Sequence, residues 1–136
     1  MINSQFAISV HILTLLARAE GELLSSEYIA GSININAVLV RKELINLRKH
    51  NLVSSKEGKN GGSYLSKPAA AIKMSDIYKA VNHSSLLGQS KNAPNPYCAV
   101  GKNISKRLDD LSKNAENALI AQLAKVSLKK FIIPFE

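Results

Sequence analysis

Trp is absent, aromatic residues make up only 5% of the 136-residue chain, and a single cysteine, Cys98, is present. With so few rings, any core must be built from Leu, Ile, Val and Ala. One thiol excludes an internal disulfide framework, and it excludes a cluster or zinc site made from several thiolates of one chain. No uninterrupted apolar run approaches the ~18 residues of a membrane span. The start, Met1-Ile2-Asn3-Ser4-Gln5, lacks the basic head of a secretory signal. These absences predict a soluble, cytoplasmic protein with no membrane partner. Internal repeats and low-complexity segments are missing too, and the length suits one domain.

What is present in excess is positive charge. Eighteen Lys/Arg stand against ten Asp/Glu, for a net +8. Between Arg41 and Lys73 lie eight bases (Arg41, Lys42, Arg48, Lys49, Lys56, Lys59, Lys67, Lys73) and two acids, Glu43 and Glu57. That quarter of the chain carries most of the excess. A local basic stripe suits a polyanion, whose phosphates release counterions when neutralised. A solvated face that keeps the protein soluble would look the same by charge alone.

The spacing of apolar residues predicts a mostly buried helix from Gln5 to Ala19, ended at Gly21. A short helix over about Ser26–Ser32 follows, with Ser25 or Ser26 as cap, Glu27 in its first turn, and Gly31 with Asn34 and Asn36 to break it. A third helix, about Ala37–His50, is capped by Asn36. It carries apolar Val38, Leu39, Val40, Leu44, Ile45 and Leu47, and a polar side of Arg41, Lys42, Arg48 and Lys49. Leu52–Ser55 and Tyr64–Ser66 read as two strands joined by a turn with three glycines. Ser75-Asp76 start a short helix through Val81. Residues 84–97 read as loop.

A long helix spans about Ala99–Lys125. Ile104, Leu108, Leu111 and Ala115 recur at spacings of four and three, a heptad-type seam. So narrow a seam suits pairing with a second copy of the chain, although packing within one chain stays open. The expected fold is mostly α with a small β-hairpin: a winged helix-turn-helix over residues 1–82, a loop over 83–98, and a C-terminal dimerisation helix with its tail over 99–136.

Helix, tight turn, basic helix and basic glycine-rich hairpin, in that order, suit double-stranded DNA. The candidate contacts are Ser26, Asn36, Ala37, Val40, Arg41, Lys42, Arg48 and Lys49 on the helices. On the hairpin, or wing, they are Lys56, Lys59, Asn60, Gly61 and Gly62. Short or branched side chains reach base edges, and cations reach phosphates.

Leu47-Arg48-Lys49-His50-Asn51-Leu52-Val53-Ser54-Ser55, followed by Gly58, Gly61-Gly62 and Tyr64-Leu65, resembles the signature of the Rrf-two type of bacterial winged-helix regulators. The likeness extends over nearly the whole chain. It implies a DNA-binding regulator whose long C-terminal helix forms the dimer interface. Two positions depart from the family pattern. Glu57 stands where many relatives carry a minor-groove Arg, and Cys98 is alone where cluster-binding members carry three cysteines. The resemblance is therefore to the cluster-free branch, with no cofactor and no bound metal.

Cys98 falls where the long helix begins, so the helix dipole can lower its thiol pKa, with Lys102 one turn on. It is a candidate sensor of small oxidants or electrophiles; a buried apolar filler is the other reading. His11, His50 and His83 do not cluster in sequence. No phosphate-binding glycine loop precedes a helix, and Asp109-Asp110 point apart, so no enzyme is expected. The expected function is a transcriptional regulator, a repressor, binding a pseudo-palindromic operator as a homodimer. The alternative is a dimeric protein-interaction adaptor with a basic face and no specific DNA site.

Overall fold

The computed structural model describes residues 4–81, 84–88 and 92–135. Its elements are α1 (Gln5–Arg18), α2 (Ser26–Ile33), α3 (Ala37–Lys49), β1 (Val53–Lys56), β2 (Gly62–Leu65), α4 (Met74–Val81), α5 (Ala99–Leu123) and α6 (Leu128–Ile132). No described helix is long and apolar enough to cross a membrane.

Local chemistry explains most of the boundaries. The Ser25 hydroxyl accepts from the Tyr28 N–H at 3.1 Å, so Ser25 and not Ser26 caps α2. Gly31 lies inside α2 and does not break it. Asn34 ends the helix instead, in the left-handed conformation at φ 64°. Asn36 Oδ1 accepts from the Val38 N–H at 2.8 Å and starts α3. At its other end the His50 ring Nδ1–H donates to the Asn46 carbonyl at 2.9 Å. Asp76 caps α4 by accepting from the Lys73 N–H at 2.9 Å.

Ile12, Leu13 and Leu16 of α1 form the centre of an aliphatic core. Around them pack Ile29, Val40, Leu44, Leu47, Leu52, Ile72 and Ile77, with hardly a ring among them. Each such side chain contributes about 1.5–3 kcal/mol by leaving water. One polar contact crosses this region: the Ser9 hydroxyl donates to Glu43 Oε2 at 3.5 Å, both residues being buried. That distance is the long end of a hydrogen bond.

β1 and β2 form an antiparallel hairpin in the register Val53–Leu65, Ser54–Tyr64, Ser55–Ser63 and Lys56–Gly62. Leu24, from a third segment, makes an isolated antiparallel bridge to Ser63, exchanging hydrogen bonds of 3.1 and 2.9 Å. The hairpin is thus fastened to the segment before α2.

The C-terminal tail returns to the core. Leu128 and Ile132 of α6 are buried in the core beside α1. The Leu128 N–H donates to the Ile72 carbonyl at 2.8 Å, and the Met74 N–H to the Val126 carbonyl at 2.9 Å. Five residues of helix are too short for a periodic signal to reveal the face they bury.

α5, 25 residues and roughly 37 Å long, leaves the body on one side. Ser112 holds it there: its hydroxyl lies 2.7 Å from that of Ser85 and accepts from the Leu87 N–H at 3.2 Å.

Candidate nucleic-acid interface

α3 and the hairpin form two walls of a shallow cleft lined by Ser26, Arg41, Arg48, Lys56, Glu57 and Gly62 among others. Arg48 crosses it, donating from Nη1 to the Ser55 hydroxyl at 3.2 Å. Arg41 Nη1 lies 3.3 Å from Glu27 Oε1. Lys42 and Lys49 are exposed on the same helix, and Lys59 and Asn60 are exposed at the hairpin tip. Residues far apart in the chain thus present one basic face. Glu57 is its single acid at the hairpin.

Some expected contacts lie elsewhere. Val40 is fully buried in the core, so it cannot touch a ligand on this face. Ala37 is half-buried and packs against that core. Both sit on the inner side of α3, where the helical period carries every residue in step with Leu44 and Leu47. Gly62 is half-buried rather than presented, because a Cβ there would meet the Leu24 carbonyl oxygen at 2.7 Å. Gly61 is also half-buried, its N–H donating to the Gly58 carbonyl at 3.0 Å. These glycines allow the hairpin to fold tightly and bring Lys56 and Lys59 outward.

Conversely, Val38, Leu39 and Ile45 are exposed, although their apolar character predicts burial. The period alone does not say which side turns inward; once packing puts Val40, Leu44 and Leu47 inward, positions 38, 42, 45 and 49 point out.

Cys98 is the N-cap residue of α5 and is exposed, which removes the reading as a buried filler. The N–H dipoles of Gly101 and, to a lesser extent, Val100 are directed at its sulfur without closing a capping hydrogen bond. They hold its thiol below the usual cysteine range, outweighing a small desolvation effect.

His11 is half-buried, with Nε2 at 3.0 Å from the Ser32 hydroxyl, and His50 is occupied at the end of α3. His83 lies outside the described residues. Among the described residues no three His, Cys, Asp or Glu side chains gather as metal ligands.

The long seam of α5 is open. Leu108 and Leu111 are exposed, while Ile104 and Ala115 are half-buried. An apolar groove of about 740 Å³ runs between α1 and the C-terminal segment, lined by Phe6, Val10, Leu15, Leu123, Phe131 and Phe135 among others.

Residues 2–133 match the model of the Rrf2 family, described as iron-dependent transcriptional regulators. The chain is 40% identical over 129 residues to YwnA of Bacillus subtilis (strain 168), named as an HTH-type transcriptional regulator, covering 95% of each chain. Its fold is that of IscR from T. potens, with a TM-score of 0.70, 20% identity, and coverage of 100% of this chain and 88% of that one. It is also that of CymR, the global cysteine regulator of B. subtilis, with a TM-score of 0.66, 22% identity, and coverage of 97% and 95%.

The iron of the family description finds no matching donor set here. One cysteine per chain cannot supply the thiolates that hold an iron–sulfur cluster. Family and relatives are regulators of transcription and not enzymes. With its winged helix-turn-helix body, basic α3–hairpin face and long C-terminal helix, the chain belongs to the Rrf2 family of DNA-binding transcriptional regulators.

Proposed function

We propose that the protein is a cytoplasmic homodimeric repressor that binds a pseudo-palindromic operator, one half-site per winged helix, and that Cys98 makes binding responsive to oxidants. The observation that carries this reading is the single basic face built from α3 and the hairpin. Asn36 and Arg41 in the first turns of α3 reach base edges, with Ser26 beside them. Lys42, Arg48, Lys49, Lys56, Lys59 and Asn60 hold the flanking phosphates.

Two features support the dimer. The exposed Leu108 and Leu111 lie on one face of α5, and the groove between α1 and the C-terminal segment is apolar and open. A second copy placed against α5 covers its seam and sets two α3 helices apart by a fixed distance, ~34 Å for half-sites one turn apart.

The thiol at the start of α5 stands where it can alter that distance. A peroxide would convert the Cys98 thiolate to a sulfenic acid, the second peroxide oxygen leaving as hydroxide. The added oxygen at the N-terminus of α5 changes the helix's approach to its partner, and the spacing with it.

The test is selection of binding sequences from random duplexes by the purified protein, followed by footprinting of the recovered site with and without peroxide. Two protected half-sites in one duplex are expected. Recovery of no preferred sequence would overturn the reading in favour of a dimeric adaptor.

A further inference from the structure

The phosphate-holding cations of α3, Lys42, Arg48 and Lys49, account for attraction to a polyanion but not for a choice among base sequences. Val40, Glu43, Leu44 and Leu47 face the core. At 3.6 residues per turn, that leaves Val38, Lys42, Ile45 and Lys49 as the outermost ridge, at spacings of four, three and four. Their exposures agree: Val38 is 60% exposed and Ile45 49%, and both lysines are exposed. The ridge therefore alternates a branched aliphatic side chain with a cation.

Such a ridge fits a partner that is anionic at its edges and apolar along a narrow line between them. The major groove of duplex DNA has this form, with phosphates on both walls and the C5 methyl of each thymine on its floor. Val38 lies in the first turn of α3, the part of a recognition helix that reaches base edges. Its polar neighbours are partly engaged, Asn36 Oδ1 with the Val38 N–H and Arg41 with Glu27.

We propose that the outer ridge of α3 selects its DNA by apolar contact with thymine methyl groups, Val38 reading one and Ile45 a second within the same half-site. The two residues are about 10 Å apart along the helix axis, about three base-pair steps. This inference rests on the DNA-binding reading above and names the chemistry by which its α3 face discriminates.

The experiment uses the full chain and the duplex recovered by sequence selection, synthesised with each thymine replaced in turn by uracil. Uracil removes only the methyl group and keeps every hydrogen-bonding atom. At one or two positions per half-site, binding should weaken about fourfold for each methyl removed. Val38→Ala, which places a better helix former at an exposed position and so keeps the fold, should bind thymine and uracil duplexes equally at one of those positions. Equal binding of thymine and uracil at every position would overturn the proposal, as would a Val38→Ala protein that kept the full thymine preference. If selection recovers no sequence, the DNA-binding reading itself fails. If it recovers one on which uracil is neutral, DNA binding stands and thymine-methyl recognition alone is overturned.

Discussion

Arg41 Nη1 lies 3.3 Å from Glu27 Oε1, so a carboxylate of α2 holds the cation that α3 would offer to DNA. Both side chains are well exposed, and such pairs are worth about 0–1 kcal/mol. A guanine edge or a phosphate therefore displaces Glu27 at little cost. Arg41→Ala should weaken operator binding by about 1–3 kcal/mol if Arg41 reads a base, and by less if it meets only phosphate. Glu27→Gln should leave thermal stability nearly unchanged and tighten binding. Titrations at several salt concentrations check both; equal affinity of Arg41→Ala and wild type throughout would remove Arg41 from the interface.

The hairpin should behave differently. Lys56 and Lys59 are exposed and lie beside backbone rather than in a groove-filling helix. Replacing either with Ala should weaken specific and non-specific duplexes alike. The slope of log affinity against log salt should become shallower by about 0.9 for each phosphate that is no longer neutralised. Weakening of specific binding alone would instead show that the hairpin reads bases.

Gly62→Ala tests the geometry behind that face. The added Cβ would meet the Leu24 carbonyl oxygen at 2.7 Å, and the displaced atoms would be backbone. The Leu24–Ser63 hydrogen bonds should be strained or broken, lowering the melting temperature measured by circular dichroism and weakening DNA binding together. An unaltered melting curve would show that the hairpin moves freely.

On α5, Leu108→Asp should yield monomers in sedimentation at micromolar concentration and abolish tight operator binding. Each Leu covered contributes roughly 1.5–3 kcal/mol, and a two-fold contact counts it twice. Since Leu108 is exposed in the single chain, the variant should retain its helical content. A wild-type protein that sediments as a monomer would refute the seam.

Cys98 should react with iodoacetamide at lower pH than a free thiol. The nearby Gly101 and Val100 N–H groups lower its pKa. At any pH below the usual thiol range a larger fraction is thus thiolate, and the rate midpoint falls below that of free cysteine. A midpoint at or above that of free cysteine would remove the helix-terminal activation. Cys98→Ser should retain DNA after peroxide treatment that releases it from wild type; equal release from both would place the sensor elsewhere.

The sequence by itself determined the order and type of the elements from α1 to α5, because caps, glycines and the change from a 3.6- to a 2-residue period are local signals. Asn36 starting α3, the glycine-rich hairpin and the uninterrupted α5 all follow from residues a few positions apart. It also determined that positive charge is concentrated between Arg41 and Lys73. Only the tertiary structure decided which residues of α3 face out. Val40 and Val38 are the same residue type two positions apart, and one lies in the core while the other is in water, because α1 covers one side of the helix and none of the described residues covers the other. The tertiary structure alone also placed Leu128 and Ile132 beside α1 and put Glu27 against Arg41, since contacts between distant segments depend on how helices pack and leave no mark in local spacing.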